Sequence, residues 1–331
     1  MAVDPPVADF TGTPLSGTAP LTVQFTDTST NAPNSWSWSF GDGGTSTAQN
    51  PSHQYTSAGT YTVSLTAANA AGSDGETKTG YVVVTPNTVD YYVFADGVRY
   101  YHNYQNNEDV AGGDTVAQNF YQHLATTASN RCNEYGSTTY CWNERGNPVN
   151  DNTGSVYWSK TESAGSIGAN SAEFVFHAGH GWNDGILFGT ANSYNHVFRS
   201  NMSFSRAKWV AFDSCDVLNQ STQANWHSVF DGAHIIMSFD THGKINVDQG
   251  PQFVERMKGG TYQGTTYLVR NIRDAWRLTQ QNTLQDNTLK GAYMWVYPSG
   301  DDYLPGYGEF KEPVKSNGQY AFNWSNFICS N

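Results

Sequence analysis

Two short apolar segments, each ending at a reactive side chain, constrain the fold of this 331-residue chain more than any other feature. The first, residues 173–181, is rich in Phe and Val and ends at His180 and Gly181. The second comprises residues 208–216, and Cys215 is its second-to-last residue. Runs of this kind, bounded by Gly and polar residues, are typical of inner strands of a parallel sheet. We therefore expect a ligand site beyond the carboxyl ends of the two strands.

The side chains at the ends of these segments carry the chemistry of nucleophilic catalysis. A thiolate is a strong nucleophile, and a nearby imidazole can hold its proton and later deliver it to a leaving group. If the strands lie side by side, Cys215 and His180 face the same crevice. Cys215 is therefore the candidate nucleophile and His180 the candidate acid. The alternative is that Cys215 is a buried structural thiol, as most lone cysteines are.

The residues around both segments resemble the caspase, legumain and gingipain superfamily of cysteine peptidases. Residues 178–188 look like the His-Gly loop and following turn of legumains and gingipains, and residues 213–215 resemble the nucleophile motif. Residues 233–239 are similar to the strand after the nucleophile, and residues 300–304 to a late Gly-Asp turn of the gingipain-like branch. The resemblance covers roughly residues 90–331. It implies an α/β caspase-like domain with a mostly parallel sheet flanked by helices.

The resemblance also implies a mechanism and a substrate preference. Cys215 would attack a peptide carbonyl, His180 would protonate the departing amine, and the backbone N–H groups of Gly181 and Cys215 would hold the oxyanion. In metacaspases an Asp at the position of Asp213 lines the substrate pocket, which implies a preference for Arg or Lys before the cleaved bond. The alternative for Asp213 is a carboxylate that hydrogen-bonds its own loop.

Three further residues near the motifs are candidates for supporting roles. Asp240 and Thr241 follow the strand after the nucleophile and are predicted to form part of the pocket wall. His177, three residues before His180, is predicted to be structural or to support the site from behind it.

No cofactor or metal is predicted. Four side chains of the type that binds zinc occur in this region: His177, His180, Cys215 and His242. Their spacing resembles no common zinc signature. Structural calcium remains an alternative at three acidic or Asn-containing turns, for which a solvated turn is the default interpretation: residues 108–109, 183–185 and 301–302.

The four cysteines fit an oxidising compartment. Cys132 and Cys141 flank a polar loop that a disulfide could close, whereas a nucleophilic Cys215 must remain a thiol. We expect Cys329 to be a buried or free thiol. The alternative for the first two is a pair of unrelated core thiols.

Composition excludes some partners and favours an extracellular location. The net charge of −12 argues against a nucleic-acid binder, which needs a basic surface. No apolar run approaches the length of about 20 residues that a membrane span needs. Only 14% of the residues are charged, while Gly, Ser, Thr, Asn and aromatic residues are abundant, as in secreted proteins. The sequence starts without a signal peptide, and we expect that an export signal was removed.

Residues 5–86 have the pattern of a separate all-β unit. Residues 21–27, 35–40 and 60–66 alternate apolar and polar side chains, as strands with one buried face do. Residues 41–44 are turn-forming. Short strands at this spacing predict a β-sandwich.

The same segment resembles a known domain type. Residues 38–43, 50–55 and 59–63 are similar to the signature of PKD domains. The resemblance implies an Ig-like sandwich in which the motif is structural, and in which the module is a spacer or a surface-binding unit of an extracellular protein. The predicted organisation is a PKD domain over residues 1–86 and a caspase-like or gingipain-like domain over residues 87–331.

Strands and helices are predicted to alternate in the second domain, which indicates helices on the faces of a sheet. Besides the two segments above, residues 90–94, 233–239 and 292–297 read as strands. Helices are predicted over residues 115–128, 223–230, 250–257 and 265–281.

These expectations leave three functions open. The leading hypothesis is a secreted cysteine endopeptidase that acts on a protein or peptide and binds a surface polymer or protein through its PKD domain. The second is a non-catalytic structural or adhesive cell-surface protein on a peptidase-like scaffold. The third is a transpeptidase that crosslinks surface proteins, in which a peptide amine resolves the acyl-enzyme.

Overall fold

A computed structural model describes residues 4–97, 113–126, 132–135, 138–144, 172–182, 185–189, 194–198, 204, 206–230, 232–241, 244–316 and 319–330. The chain divides into two compact units. The first contains Met1–Val89 together with Glu134–Thr139, and the second contains Asp90–Asn133 and Tyr140–Asn331. The predicted boundary at residue 86 thus lies three residues before the end of the first segment.

The first unit is a two-sheet β-structure, as predicted. Its strands are β1 (Phe10–Thr13), β2 (Ser16–Thr18), β3 (Leu21–Asp27), β4 (Ser35–Ser39), β5 (Thr45–Ser46), β6 (Ser52–Tyr55), β7 (Gly59–Asn69) and β8 (Gly72–Thr85). One sheet has the order β1-β3-β6, and the other has the order β2-β8-β7-β4-β5.

Alternating side chains build the core of this unit. In β3, Val23 and Phe25 are buried while the residues between and beside them face outward. Trp38 and Phe40 are also buried, and their rings lie 6.3 Å apart in a stacked arrangement. Gly41 has φ of 84°, and a Cβ there would lie 2.5 Å from the carbonyl oxygen of Thr62, so only glycine fits the turn. The motif residues therefore have structural roles.

The second unit is built on an eight-stranded sheet of order β10-β11-β9-β12-β16-β17-β20-β23. The strands that follow β8 in the chain are β9 (Asn87–Gly97), β10 (Cys132–Tyr135), β11 (Thr138–Glu144), β12 (Phe174–Ala178), β13 (Gly181–Trp182), β14 (Gly185–Gly189), β15 (Tyr194–Phe198), β16 (Trp209–Asp213), β17 (Ile235–Phe239), β18 (Thr261–Tyr262), β19 (Thr265–Thr266), β20 (Asp286–Val296), β21 (Lys315–Ser316), β22 (Gln319–Tyr320) and β23 (Phe322–Cys329). Of these, β13, β14 and β15 form a separate three-stranded sheet.

The large sheet is mixed rather than mostly parallel. Strands β9, β12, β16 and β17 run parallel to one another, but β20 and β23 are antiparallel to their neighbours. An antiparallel strand at the side of a sheet does not need cover on both faces, and β23 is in fact only partly buried. The predicted parallel arrangement therefore applies to the four strands in the middle of the sheet, including the two that carry the sequence motifs.

Helices cover one face of this sheet. They are α1 (Gly113–Tyr121), which continues as a π-helical turn over Gln122–Thr126, α2 (Gln249–Lys258) and α3 (Ile272–Leu284). Phe120, Phe253 and Trp276 from the three helices join one apolar core with Phe174 and Phe176 of β12. On the opposite face, the 3₁₀-helix Gln223–Val229 contributes to a second core. Strands β12, β16 and β17 are consequently buried along their whole length.

The helix predicted over residues 265–281 starts seven residues later than expected, at the first residue of α3. The preceding residues instead form a hairpin of β18 and β19. Its turn residues, Gln263 and Gly264, have φ of 46° and 78°. Because Leu268 lies between this hairpin and the helix, its side chain is 72% exposed rather than buried on a helical face.

Candidate functional site

The two sequence motifs end at the same edge of the sheet. Strands β12 and β16 are parallel neighbours, and Ala178 lies opposite Asp213 in their register. The backbone N–H of Gly179 donates to the carbonyl oxygen of Asp213 at 3.2 Å. His180 and Cys215 each follow the last residue of their strand by two positions. They therefore occupy corresponding positions at adjacent strand ends, and both are partly exposed.

His180 and Cys215 line one pocket, which we call the strand-end pocket. Its lining residues are Gly179, His180, Asp213, Ser214, Cys215, Lys244 and Ile245. The structure thus brings together the predicted nucleophile, the predicted acid and the predicted specificity residue Asp213.

Gly181 lies against the turn that carries Cys215. A Cβ at this position would lie 2.6 Å from Cγ2 of Val217, 2.8 Å from the carbonyl oxygen of Cys215 and 2.8 Å from Cβ of Ser214. Separations this short between carbon and backbone atoms are repulsive, so a larger residue would push the two motifs apart. Glycine is needed here for close packing of the His180 and Cys215 turns. Its role and that of the Cys215 N–H in an oxyanion hole remain predictions.

The chain turns back immediately after Cys215 and is tied to the end of β17. Asp216 has φ of 54°, the left-handed conformation that Asp tolerates better than most residues. Its N–H donates to the carbonyl oxygen of Thr241 at 3.0 Å, and Leu218 N–H donates to that of Phe239 at 3.1 Å. The hydroxyl of Ser238 donates to the carbonyl oxygen of Ser214 at 3.1 Å. These bonds hold Cys215 at a tight turn over the sheet edge.

Asp213 is a buried carboxyl group in the pocket, with 1% of its surface exposed. Gln249 Nε2 donates to its Oδ1 at 3.3 Å, while Oδ2 has no hydrogen-bond partner among the residues that the structure describes. Burial raises the pKa of Asp213 well above 3.8, and the hydrogen bond from Gln249 opposes part of that rise. A cation entering the pocket would favour the ionised carboxylate.

Lys244 stands on another side of the pocket. Its side chain is 64% exposed, and Nζ forms an ion pair with Oδ2 of Asp286 at 2.8 Å. This hydrogen bond lowers the pKa of Asp286. The positive charge of Lys244 is thus balanced outside the pocket.

Asp240 and Thr241, predicted as pocket-wall residues, are not among the residues that line the strand-end pocket. Both Asp240 carboxylate oxygens accept hydrogen bonds, one from Gln220 N–H at 2.6 Å and one from Asn326 Nδ2 at 2.7 Å. Thr241 Oγ1 accepts from Lys290 N–H at 2.9 Å. Both residues therefore join loops to β20 and β23.

His177 is fully buried within β12, where its ring lies 6.5 Å from that of Phe212. This position fits the predicted structural role and is outside the pocket lining. His242, the fourth side chain considered as a zinc ligand, lies outside the described residues, as do the turns at residues 108–109 and 183–184. Among the described residues, no group of three or more His, Cys, Asp or Glu side chains could hold a metal ion.

The cysteines separate into two classes. Cys141 is disulfide-bonded, and the side chain of its predicted partner Cys132 lies outside the described residues. Cys215 and Cys329 carry thiols. Cys329 is fully buried in β23, and burial raises the pKa of its thiol to about 12. Cys215 is thus the more exposed of the two thiols.

Three residues in or beside the strand-end pocket were not predicted from the sequence: Lys244, Ile245 and Gln249. The first two line the pocket, and Gln249 contacts Asp213 from the first turn of α2. The sequence signal nearby was the predicted start of a helix around Pro251. This signal does not indicate that any side chain of the segment lies at the strand ends.

Both units match known families. A family described as "PKD domain" matches residues 3–84, so the first unit is a PKD domain. A family described as "Domain of unknown function (DUF6345)" matches residues 95–326, which includes both motif strands and the whole strand-end pocket. For the part of the chain that the structure describes, none of the helices has the length and apolar character of a membrane span.

The similar proteins share only a short part of the chain. Collagenase ColA of Bacillus cereus is 40% identical over 74 residues, which amount to 21% of this chain and 8% of the collagenase. The PKD1 domain of Vibrio anguillarum Epp is 35% identical and covers 25% of this chain and 100% of that domain, with a TM-score of 0.22. The PKD1 domain of Vibrio cholerae metalloprotease PrtV is 36% identical and covers 24% and 96%, with a TM-score of 0.21.

Proposed function

The chain belongs to the DUF6345 family, and from the geometry of its strand-end pocket we propose that it is a cysteine endopeptidase with a caspase-like α/β domain. One observation carries the proposal. His180 and Cys215 follow neighbouring parallel strands at corresponding positions and line the same pocket. A thiol and an imidazole over one cavity are the minimum set for acyl transfer through a thioester.

The proposed reaction has two stages. The Cys215 thiolate forms a bond to the peptide carbonyl carbon, and the tetrahedral intermediate expels the amine, which takes a proton from His180. Water then attacks the thioester and gives one proton to His180. The carboxylic acid is released, and the Cys215 thiolate beside protonated His180 is regenerated. N–H donors from Gly181 and Cys215 would stabilise the oxyanion, and one such donor typically contributes about 3 kcal/mol.

Asp213 supports a preference for Arg or Lys before the cleaved bond. Its carboxyl lines the pocket beside Cys215, and its Oδ2 has no hydrogen-bond partner among the described residues. A basic side chain would provide both the missing donor and the positive charge that ionises the group.

We further propose that the protein acts outside the cell and that its PKD domain holds it at a surface polymer or protein. The PKD assignment supports this proposal. In this domain the motif residues Trp38, Phe40 and Tyr55 are buried in the apolar core, so binding would involve the outer surface rather than these side chains.

The experiment is a cleavage assay on a mixture of peptides with every residue type before a scissile bond. We expect the wild type to cut after Arg and Lys, and Cys215→Ala and His180→Ala to lose at least 100-fold in rate. Cys329→Ala is the matched control, because that buried thiol lies in β23, outside the pocket lining. No cleavage by the wild type would contradict the proposal and favour a binding protein on a peptidase-like scaffold.

The same assay separates hydrolysis from transpeptidation. When a peptide with an N-terminal glycine is added in excess, an endopeptidase still yields the free acid. A crosslinking enzyme would instead join the acyl group to the added amine, and predominance of that product would replace our proposal with the transpeptidase.

A further inference from the structure

One buried side chain, that of Gln249, holds two walls of the strand-end pocket. Its Nε2 donates to Oδ1 of Asp213 at 3.3 Å and to the carbonyl oxygen of Lys244 at 3.2 Å. Its Oε1 accepts from the backbone N–H of Asn246. Both Asp213 and Lys244 line the pocket, so the hydrogen bonds of Gln249 fix the position of these two residues relative to each other.

Gln249 is itself anchored between two helices. It is the first residue of α2 and is 1% exposed. Its Nε2 also donates to Oε1 of Gln280 at 2.6 Å, and Gln280 is fully buried on α3. The two N–H groups of Nε2 are shared among three acceptors, of which Asp213 is the most distant. A carboxamide held by α3 and by the residues before α2 has little freedom to rotate, which keeps Nε2 directed at Asp213.

Asp213 depends on this donor. Gln249 provides the one hydrogen bond to its carboxyl among the described residues, and Oδ2 has none there. Without Gln249, both oxygens of a buried carboxyl would lack a donor, and the side chain would be free to turn away from the pocket. The same loss would release the backbone of Lys244 and Asn246.

Resting on the function proposed above, we propose that Gln249 determines specificity by positioning Asp213, so that the pocket selects arginine over an uncharged, unbranched side chain. Asp213 Oδ2 and Ser214 Oγ belong to consecutive residues that line the pocket, and both are buried atoms without a hydrogen-bond partner among the described residues. A guanidinium presents several N–H groups in a fixed plane and can serve two acceptors at once. Gln249 is a positioning residue, because it acts on the substrate through Asp213.

The test compares the second-order rates with which Cys215 is labelled by peptidyl electrophiles that differ only in carrying arginine or norleucine. Gln249→Met keeps the side-chain length but removes both donors and the acceptor. We expect it to lower the arginine-to-norleucine rate ratio at least 10-fold, because the uncharged norleucine side chain makes no ionic contact with Asp213. Gln252→Met, the same change at a half-buried position of α2, is expected to keep the wild-type ratio.

Each outcome decides a separate point. An unchanged ratio in a folded Gln249→Met protein would overturn the inference and leave the peptidase proposal standing. A wild type that neither electrophile labels would overturn both. If Gln249→Met does not fold, Gln280→Met is used, since it removes the acceptor that anchors Gln249. A reduced ratio in that variant supports the inference, and the wild-type ratio overturns it.

Discussion

At Gly181 the packing of single atoms determines whether the two motifs can meet. Its hydrogen faces the backbone of Cys215 and the side chains of Ser214 and Val217, at distances that leave no space for a methyl group. The family resemblance predicts only that the Gly181 N–H donates to the oxyanion. The structure gives a reason for glycine itself, because the turns that carry His180 and Cys215 pack together at this residue.

We expect Gly181→Ala to fold but to lose about 100-fold in the labelling rate of Cys215, since a displacement of about 1 Å between reacting groups can cost that much. The measurement is the rate of adduct formation with an arginine-containing peptidyl electrophile, determined from the intact mass of the protein. Gly75→Ala, at an exposed position of β8 where a Cβ would have no atom closer than 3.8 Å, is the control. A wild-type labelling rate in Gly181→Ala would contradict the packing argument.

The buried carboxyl of Asp213 should make stability depend on pH in a defined direction. Burial raises the pKa of Asp213 in the folded state. At pH values below the ordinary pKa of Asp, the carboxyl is therefore protonated in both the folded and the unfolded protein. Above that pKa the unfolded chain loses the proton first, and the folded state is destabilised by up to about 1.4 kcal/mol per pH unit until its own pKa is passed.

We expect Asp213→Asn to abolish this loss. Urea unfolding of both proteins at pH 4 and pH 7 should show the variant gaining stability relative to wild type as pH rises. Parallel pH profiles for the two proteins would mean that Asp213 has an ordinary pKa in the folded state.

How far the sequence predicts the site depends on where each residue comes from. His180, Asp213 and Cys215 lie at strand ends, and the ends of adjacent parallel strands must meet at one edge. The pocket is also lined by Lys244 and Ile245, and Gln249 contacts Asp213. The position of this segment depends on the packing of α2, which the local sequence pattern does not specify. Asp240 and Thr241 follow the correct strand, but their hydrogen bonds hold them in loop contacts outside the pocket.

At the scale of single elements, the start of α3 illustrates the competition between periodicity and capping. Residues 265–271 continue the apolar spacing of the helix, which favoured an early start. Asn271 ends that continuation, because its side chain accepts from the backbone N–H of Asp274 at 2.8 Å and so caps the first turn. The Gln263-Gly264 turn then directs the preceding residues into a hairpin.

We expect Asn271→Ala to lower the free energy of unfolding by about 1 kcal/mol, the usual cost of losing such a cap. Asn271→Asp should retain wild-type stability, since Asp also caps and its charge is favourable at a helix N-terminus. The measurement is urea unfolding. Equal stability of the Ala and wild-type proteins would show that the helix does not depend on this cap.

At the scale of the whole molecule, the two units differ in their patterns of buried residues. The alternation of the PKD strands and the continuous apolar runs of the central sheet are local signals. No local signal predicts that β20 pairs antiparallel with β17 and β23 antiparallel with β20, since this depends on which edge of the sheet the chain returns to. The mixed character of the sheet could therefore not be predicted from strand patterns alone.

The first unit buries a core of its own, which includes Phe10, Phe25, Trp38 and Tyr55. We expect residues 1–89 to fold when expressed alone and to unfold in one cooperative step. The measurement is the fluorescence of Trp36 and Trp38 during unfolding. A gradual change without a transition would contradict this independence.

The central claim is that Cys215 is a thiol activated by its position beside His180. The most direct measurement is intact-mass labelling with an arginine-containing peptidyl electrophile in the native protein. We predict one adduct on wild type and on Cys329→Ala, no adduct on Cys215→Ala, and much slower labelling of His180→Ala. If native Cys215 stays unmodified while the denatured protein is labelled readily, the thiol is not activated and the account of this pocket as a catalytic site is wrong.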